Sequence, residues 1–236
     1  MGSIRNEPAA ILSVLVPAYN EAGTIRSVIL AVLAQPLVLE VLVVDDGSSD
    51  GTREVLASML LVDPRVRVFR HETNRGKGAA LRTGASHACG AIVLVQDADC
   101  EYDPAEYPRI VAPLREGTAD VVYGTRFSTG SAFVSWHAFA NGLLTRFSNL
   151  CAGLRLTDME TGVKAFRRDV FERISIEEER FGFEPEVTAK LARLKNIRIR
   201  EVPVSYRRRT LAQGKKIRWH DGAEALWCIV KYNFRA

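Results

Sequence analysis

The N-terminal part of the chain alternates short, almost uninterrupted apolar runs with stretches in which apolar residues recur every three or four positions. The apolar runs predict strands at residues 12–17, 40–44, 66–69 and 92–96, and the stretches between them predict helices at 24–34, 52–61 and 77–88. Strands that are apolar on both faces and are separated by helices are typical of a parallel sheet covered on both sides. This alternation therefore predicts an α/β fold built on a mostly parallel sheet.

The C-terminal half predicts a long amphipathic helix at 133–150, strands at 161–166 and 197–204, and helices at 183–194 and 219–234. A length of 236 residues fits one large domain at 11–217, preceded by a flexible N-terminus (1–10) and followed by a C-terminal amphipathic helix (218–236). The helices at 133–150 and 219–234 each have an apolar face. Either face could bury against the core or dock on a lipid surface, and the pattern leaves both alternatives open.

Composition limits the class of protein and its partners. The net charge of +4 suits an anionic substrate or a membrane surface and does not require nucleic acid. The four cysteines form no Cys-x-x-Cys pair, which is typical of free thiols in a reducing compartment. Residues 1–10 lack the apolar core of a signal peptide, and no apolar run approaches the ~18 residues of a spanning helix. A cytoplasmic protein is expected, with peripheral attachment to the cytoplasmic face of a membrane left open.

Polar clusters follow three of the predicted strands, at residues 17–21, 45–48 and 97–101. The carboxyl ends of parallel strands meet at one edge of a sheet, so these clusters are expected to form a single site. Asp97 and Asp99 stand two residues apart, and with Glu101 they could bind Mg²⁺ or Mn²⁺; a solvated acidic turn is the alternative. Asp46 could accept hydrogen bonds from a nucleobase or a ribose hydroxyl, while Ser49 or Asp50 caps the next helix.

The sequence NRGKG at 74–78 places backbone amides and Lys77 at the start of a helix. Such a helix start can bind an anion, and a simple glycine turn is the alternative. The spacing is not that of a P-loop, so ATP hydrolysis is not indicated.

Taken together, these segments resemble the family 2 inverting glycosyltransferases of GT-A fold, and within them the dolichol-phosphate mannose synthase group. The resemblance covers about residues 11–217. Its motifs are VPAYNE (16–21), VVDDGSSDGT (43–52), NRGKG (74–78), DAD (97–99), GTRF (124–127), TDMETG (157–162), EVPVSY (201–206), Arg209 and GKK (214–216).

The resemblance implies a GT-A-type, Rossmann-like sheet and a role for each matching residue. It implies direct metal binding by Asp99 and Glu101, with Asp97 beside them. The implied catalytic residues are Asp99, Arg126, Arg209 and Lys216, with Lys215 as a competitor of Lys216. The implied or inferred donor-binding residues are Pro17, Ala18, Tyr19, Glu21, Val44, Asp46, Lys77, Asp97 and Ala98. Glu101 is a departure from the group, which more often has a neutral polar residue at that position, and the donor preference therefore stays open.

The expected reaction is metal-dependent transfer of a hexose, with inversion, from a GDP-mannose- or UDP-glucose-type donor to dolichyl or undecaprenyl phosphate. A phosphate acceptor is already anionic and needs no general base, but cations such as Arg126, Arg209 and Lys216 must screen it from the donor diphosphate. The expected partners are thus the nucleotide sugar, the polyprenyl phosphate and a membrane surface, without nucleic acid; an anchoring subunit stays open.

Two other functions are compatible with the sequence. A family 2 enzyme that glycosylates a sugar hydroxyl would need a base, for which Asp158, Glu160 and Glu186 are candidates. A non-catalytic nucleotide-sugar-binding protein is the alternative from a different class.

Overall fold

The structure is a computed structural model that describes residues 10–127, 136–209 and 219–234. Several sequence predictions lie outside the described residues, namely the flexible N-terminus up to residue 9, Lys215 and Lys216, and the start of the helix predicted from residue 133.

The described strands form one sheet in the order β3-β2-β1-β4-β6-β5-β7. Their bounds are β1 Leu12–Ala18, β2 Val38–Asp45, β3 Val66–Arg70, β4 Ile92–Val95, β5 Val121–Thr125, β6 Lys164–Arg167 and β7 Ile199–Pro203. Strand β6 runs antiparallel to β4 and β5, and the remaining pairs are parallel. The predicted mostly parallel α/β sheet is therefore confirmed.

The reversed direction of β6 matters for the site. Lys164, the first residue of β6, pairs with Val95 at the end of β4 and with Tyr123 near the end of β5. The segment that leads into β6 therefore lies at the same edge as the segments that leave β1, β2, β4, β5 and β7. We call this edge the C-terminal edge of the sheet.

Helices cover both faces of the sheet. Their bounds are α1 Ile25–Leu33, α2 Thr52–Met59, α3 Lys77–Ala85, α4 Tyr107–Arg115, α5 Trp136–Ala152, α6 Arg168–Phe171, α7 Phe183–Arg193 and α8 Trp219–Phe234. Alternate residues of β1 face different cores: Val14 and Val16 pack with α1, α2 and α4, whereas Leu15 packs with α3, α6, α7 and α8. This alternation explains why the strands are apolar throughout.

The sequence reading did not predict helix α4 or strand β5. Helix α4 contains Pro113 in its interior, where proline argues against a helix, whereas Pro108 lies in the first turn, where proline is tolerated. Strand β5 contains Gly124, where a Cβ would lie 2.4 Å from a Val163 methyl group. Close packing against Val163, the residue before β6, explains a glycine in this strand.

Helix α8 packs on the core with one face and leaves the other exposed. It contacts α5 and α7, and Cys228 and Ile229 are fully buried. On its other face Trp227 is 64% exposed and Phe234 70% exposed. Among the described helices, none combines the length and the apolar character that crossing a bilayer requires.

Candidate active site

The loops that follow β1 and β2 are bonded to each other at the C-terminal edge. The Asp46 backbone N–H donates to the Ala18 carbonyl (2.8 Å). The Asn20 N–H donates to Ser48 Oγ (2.9 Å), and the Ser49 N–H donates to Asn20 Oδ1 (2.8 Å). Asn20 has a φ of 50°, a left-handed conformation that asparagine tolerates better than most residues. The expected convergence of these two polar clusters is confirmed.

Asp46 is buried and bonded within the protein. Its Oδ1 lies 2.6 Å from His71 Nδ1 and accepts the Arg75 N–H (3.0 Å), and its Oδ2 accepts the Gly76 N–H (2.6 Å). The anion held by the glycine-rich loop in this structure is thus the Asp46 carboxylate. A donor contact of Asp46 stays a prediction, and His71, its buried partner, had no signal in the sequence.

The start of α3 is also bonded internally. The Gly78 and Ala79 N–H groups donate to the carbonyls of Arg180 (3.3 Å) and Glu179 (3.0 Å). A Cβ at Gly78 would lie 2.1 Å from the Glu178 carbonyl oxygen, so only glycine permits this close approach. These two amides are therefore not available to a phosphate.

Lys77 lies between two carboxylates. Its Nζ is 2.8 Å from Asp97 Oδ1 and 2.8 Å from Glu184 Oε1. Burial alone would lower the pKa of Lys77, but the charges of Asp97 and Glu184 outweigh it and raise the pKa above its ordinary value. Lys77 therefore fixes the Asp97 carboxylate from behind, and its predicted donor contact stays a prediction.

Asp97 and Asp99 are the carboxylates of this loop that face partly outward. Their side chains are 22% and 23% exposed, and Asp99 Oδ1 accepts the Glu101 N–H (3.1 Å). Burial and the negative charges of Asp97 and Glu101 raise the pKa of Asp99 to about 7. Such an excess of negative charge favours binding of a cation, and two carboxylates with substrate oxygens form a common Mg²⁺ site.

Glu101 contacts the chain that follows β7 instead. Its Oε1 accepts the Arg209 N–H (2.7 Å), and its Oε2 accepts the Tyr206 hydroxyl (2.7 Å). In the parts of the chain that the structure describes, no three His, Cys, Asp or Glu side chains are grouped as a ready metal site. Asp97, Asp99 and Glu101 are thus not grouped as a ready site in the described part of the chain, and metal binding by the three carboxylates stays a prediction.

Arg209 extends across the same edge. Its Nη1 lies 2.9 and 3.0 Å from the two Glu21 carboxylate oxygens and 3.9 Å from Asp99 Oδ2. Residues more than a hundred positions apart in the chain thus meet at one point, as the resemblance implied. Lys216, the other cation expected there, lies outside the described residues.

Arg126 and Asp158 form a buried bidentate ion pair. Arg126 Nε and Nη2 are each 2.6 Å from a different Asp158 oxygen. The Arg126 guanidinium also lies 5.2 Å from the centre of the Tyr206 ring. A phosphate contact of Arg126 stays a prediction, and the Asp158 carboxylate is occupied by this pair.

The other two candidate bases differ in their surroundings. Glu186 accepts the N–H groups of Glu177 (2.7 Å) and Glu178 (2.9 Å) and pairs with Lys190 (2.6 Å). Glu160 instead has a buried Oε1 without a hydrogen-bond partner. Burial, reinforced by the charge of Glu184, raises the pKa of Glu160 to about 7.

Burial lowers the pKa of the neighbouring Lys164 to about 8. Both Lys164 and Glu184 lie in the interior behind the C-terminal edge, and sequence reasoning missed them. A lysine within the apolar run of β6 was the one local signal for this buried charged cluster.

The remaining predicted donor residues lie along the first two loops and the acidic loop. Pro17 and Tyr19 are half-buried, whereas Ala18, Val44 and Ala98 are buried. Their donor contacts stay predictions.

A family model provides an independent test of the resemblance. The model for glycosyl transferase family 2 matches residues 13–175, which include Asp46, Asp97, Asp99, Arg126 and Asp158. The chain belongs to this family. It is accordingly a glycosyltransferase, and the resemblance on which the site residues were chosen is confirmed.

Curated relatives of this family 2 glycosyltransferase extend the match beyond residue 175. An undecaprenyl-phosphate mannosyltransferase from Micrococcus luteus is 34% identical over 213 residues, which cover 85% of each chain. A polyprenol monophosphomannose synthase from Mycolicibacterium smegmatis is 28% identical over 232 residues, covering 94% of this chain and 86% of the relative.

Solved structures support the fold of this family 2 enzyme. Glucosyl-3-phosphoglycerate synthase from Mycobacterium tuberculosis, in complex with Mn²⁺, UDP and phosphoglyceric acid, superposes with a TM-score of 0.73 at 24% identity. The match covers 96% of this chain and 79% of that one. The GT-A-type fold predicted from the sequence is confirmed.

Proposed function

We propose that this family 2 glycosyltransferase transfers a hexose, with inversion, from a nucleotide-sugar donor to a polyprenyl phosphate with the help of Mg²⁺ or Mn²⁺. The observation that carries the proposal is the position of the Arg209 guanidinium, 3.9 Å from Asp99 at the C-terminal edge. The Arg209 cation, on the segment after β7, thus faces the acidic pair Asp97 and Asp99, on the segment after β4. This arrangement suits a reaction in which two phosphate groups must approach each other.

The chemical groups at the C-terminal edge support a phosphate acceptor. A phosphate monoester attacks the anomeric carbon with its own charged oxygen, so the enzyme has to orient and screen it rather than deprotonate it. Two of the three candidate bases, Asp158 and Glu186, already have their carboxylates bonded to other groups. Both curated relatives are named for polyprenyl-phosphate chemistry with mannose, which favours a mannosyl donor.

The residues at the C-terminal edge have different roles, according to their positions. Lys77 holds the Asp97 carboxylate from behind, and Asp99 presents a second carboxylate whose raised pKa reports unbalanced negative charge. A divalent cation bound at these carboxylates supplies a Lewis acid that stabilises the departing nucleoside diphosphate. Arg209 supplies positive charge beside Asp99, where it can screen the acceptor phosphate from the donor diphosphate.

A donor and acceptor panel tests the proposal. The full chain is incubated with GDP-mannose or UDP-glucose, with undecaprenyl or dolichyl phosphate, and with Mg²⁺ or Mn²⁺, and products are identified by mass spectrometry. We expect a glycosyl lipid phosphate, lost in Asp99→Asn and reduced about 100-fold in Arg209→Ala. Arg208→Ala, which removes the exposed neighbouring arginine, is the matched control and should retain near-normal turnover. A parallel incubation with a free sugar as acceptor gives the refuting outcome: glycosylation of its hydroxyl, without any lipid product, would exclude the proposed acceptor class.

We also propose that the protein acts at the cytoplasmic face of a membrane, because its acceptor is a lipid. Helices α5 and α8 contact each other, and each leaves an apolar stripe exposed. On α8 the stripe consists of Leu226, Trp227, Val230 and Phe234, and on α5 it includes Phe139 and Leu143. Aromatic and aliphatic side chains in such a stripe suit the interface between headgroups and acyl chains.

Sedimentation with phosphatidylglycerol vesicles tests this location. We expect the double variant Trp227→Ser/Phe234→Ser to bind vesicles about tenfold more weakly than the wild type, because two apolar anchors are lost. Leu61→Ser is the control, since Leu61, two residues after the end of α2, is 90% exposed. Equal losses in both variants would mean that the α8 stripe has no special role.

A sugar-hydroxyl acceptor is the second candidate function, and one observation favours it. Glu160 keeps a buried carboxylate oxygen without a hydrogen-bond partner, and its pKa is raised to about 7. These are properties of a general base. Its substitution therefore separates the two acceptor classes.

A further inference from the structure

Glu101 stands two residues after Asp99, where the sequence analysis expected a metal ligand. The structure instead shows three bonds between this residue and residues 206–209, which we call the closing segment. The carboxylate accepts the Tyr206 hydroxyl and the Arg209 N–H, each at 2.7 Å. The Glu101 carbonyl accepts the Arg207 N–H at 2.9 Å. One acidic residue thus bonds to three of the four residues of the closing segment.

The closing segment has no regular secondary structure of its own. It leaves β7, and the bond from the Ser205 N–H to Glu106 Oε2 (2.9 Å) is its anchor immediately before Tyr206. The rings of Tyr206 and Tyr102 pack with their centres 5.4 Å apart. An irregular segment needs such external bonds, since it lacks the backbone ladder that fixes a strand.

The turn that presents Glu101 is itself constrained. Cys100 has a φ of 60°, a left-handed conformation that costs free energy for a residue with a side chain. The Asp99 carboxylate accepts the Glu101 N–H across this turn (3.1 Å). The turn leaves Asp99 at the C-terminal edge while the Glu101 carboxylate reaches the closing segment.

We propose that Glu101 is a positioning residue that holds the closing segment so that the Arg209 guanidinium lies beside Asp99 and Glu21. A carboxylate suits this task because each of its two oxygens can accept a strong hydrogen bond at the same time. The benefit to the reaction is preorganisation: the arginine is already in place when the phosphates arrive. The role in turnover rests on the proposed function above, whereas the contact itself does not.

Three variants of the full chain test the proposal by hydrogen–deuterium exchange of the closing segment. In Glu101→Ala we expect its amides to exchange at least about tenfold faster than in the wild type, because two acceptors are lost. Glu101→Gln should restore most of the protection, since its Oε1 can still accept the Arg209 N–H. Tyr206→Phe should give an intermediate rate and should add nothing to Glu101→Ala.

A metal titration distinguishes a positioning role of Glu101 from direct binding of the metal by Glu101. In the presence of GDP or UDP, the Mn²⁺ requirement should rise no more than a few-fold in Glu101→Gln, which removes one negative charge near Asp99, and should rise strongly in Asp99→Asn, whose closing segment should remain protected. Turnover should fall about 100-fold in Glu101→Ala and only a few-fold in Glu101→Gln, as expected for misplacement of a group on the scale of an ångström.

Two results would overturn the proposal. One is a closing segment as protected in Glu101→Ala as in the wild type. The other is a Mn²⁺ requirement raised tenfold or more in Glu101→Gln, which would make Glu101 a metal ligand. A wild-type enzyme without any lipid product would contradict the proposed function alone, because the exchange rates are measured without turnover.

Discussion

Gly162 lies against the Asp97 carboxylate and has no room for a side chain. Its N–H donates to the Tyr102 hydroxyl (2.9 Å). A Cβ at this position would lie 1.9 Å from Asp97 Oδ2, well inside van der Waals contact. The glycine that begins the approach to β6 is therefore part of what fixes the acidic pair.

At the residue scale, Gly162→Ala should displace the Asp97 carboxylate and lower turnover about 100-fold, since small displacements of reacting groups have large effects. Steady-state kinetics with a check of folding by circular dichroism measures this. Gly142→Ala in α5 is the matched control, because nothing lies within 4 Å of the added Cβ. It should keep full activity and raise stability by about 0.5–1 kcal/mol. Full turnover in Gly162→Ala would show that Asp97 does not need its present position.

Glu160 gives a second prediction at this scale. With a phosphate acceptor, Glu160→Gln should keep turnover within about tenfold of the wild type, because no proton has to be removed from the nucleophile. With a hydroxyl acceptor the same change should abolish nearly all turnover. Asp158→Asn is a less informative comparison, since it also breaks the pair with Arg126.

At the scale of elements, Asp120 joins three strands at the end of the sheet opposite the site. Its carboxylate accepts the Arg198 N–H and Nε, each at 2.9 Å, and lies 3.2 Å from Arg167 Nη1. The Asp120 backbone bonds to the same two residues, of which Arg198 precedes β7 and Arg167 ends β6. Hydrogen bonds from Arg198 lower the pKa of Asp120 to about 2.

The lowered pKa of Asp120 determines how the free energy of unfolding should depend on pH. Because the folded-state pKa lies below the unfolded value near 4, the stabilisation is complete above that pH and is lost as the pH falls towards 2. Asp120→Asn should therefore lower the free energy of unfolding by about 1 kcal/mol at pH 7, after allowance for solvent screening. Urea denaturation at pH 7 and pH 3 should show the difference shrinking at the lower pH. A difference that does not change with pH would exclude this electrostatic origin.

At the scale of the whole molecule, the C-terminal edge gathers carboxylates from β1 and β4 before any ligand is present. A metal ion and a nucleoside diphosphate should therefore stabilise the fold together far more than either does alone. At 100 times Kd a ligand contributes about 2.7 kcal/mol, which for a chain of this size raises Tm on the order of 5–10 °C.

Differential scanning fluorimetry with GDP or UDP and Mn²⁺ measures this stabilisation. Asp99→Asn should abolish the joint effect while keeping the Tm of the free protein. A nucleotide-induced shift that is equally large in EDTA would argue against metal-bridged binding of the donor.

The sequence by itself determined the layers of the fold and the edge that carries the site. Periodicity is a local property, so the apolar runs of β1, β2, β3 and β4 and the helices between them could be recognised without knowledge of the partners. The rule that carboxyl ends of parallel strands share an edge then placed the polar clusters of β1, β2 and β4 together. Helix α4 and strand β5 were not predicted, because a proline inside the helix and a glycine in the strand obscure their patterns.

Only the tertiary structure decided what each charged side chain does at that edge. The partners of Asp46 lie 25 to 30 residues away, the more distant of the two carboxylates that bind Lys77 lies 107 away, and the Arg209 N–H that Glu101 accepts lies 108 away. Such pairings depend on the reversed direction of β6 and on the path after β7. Neither leaves a local signal, because it is the whole packed core that fixes how distant segments meet.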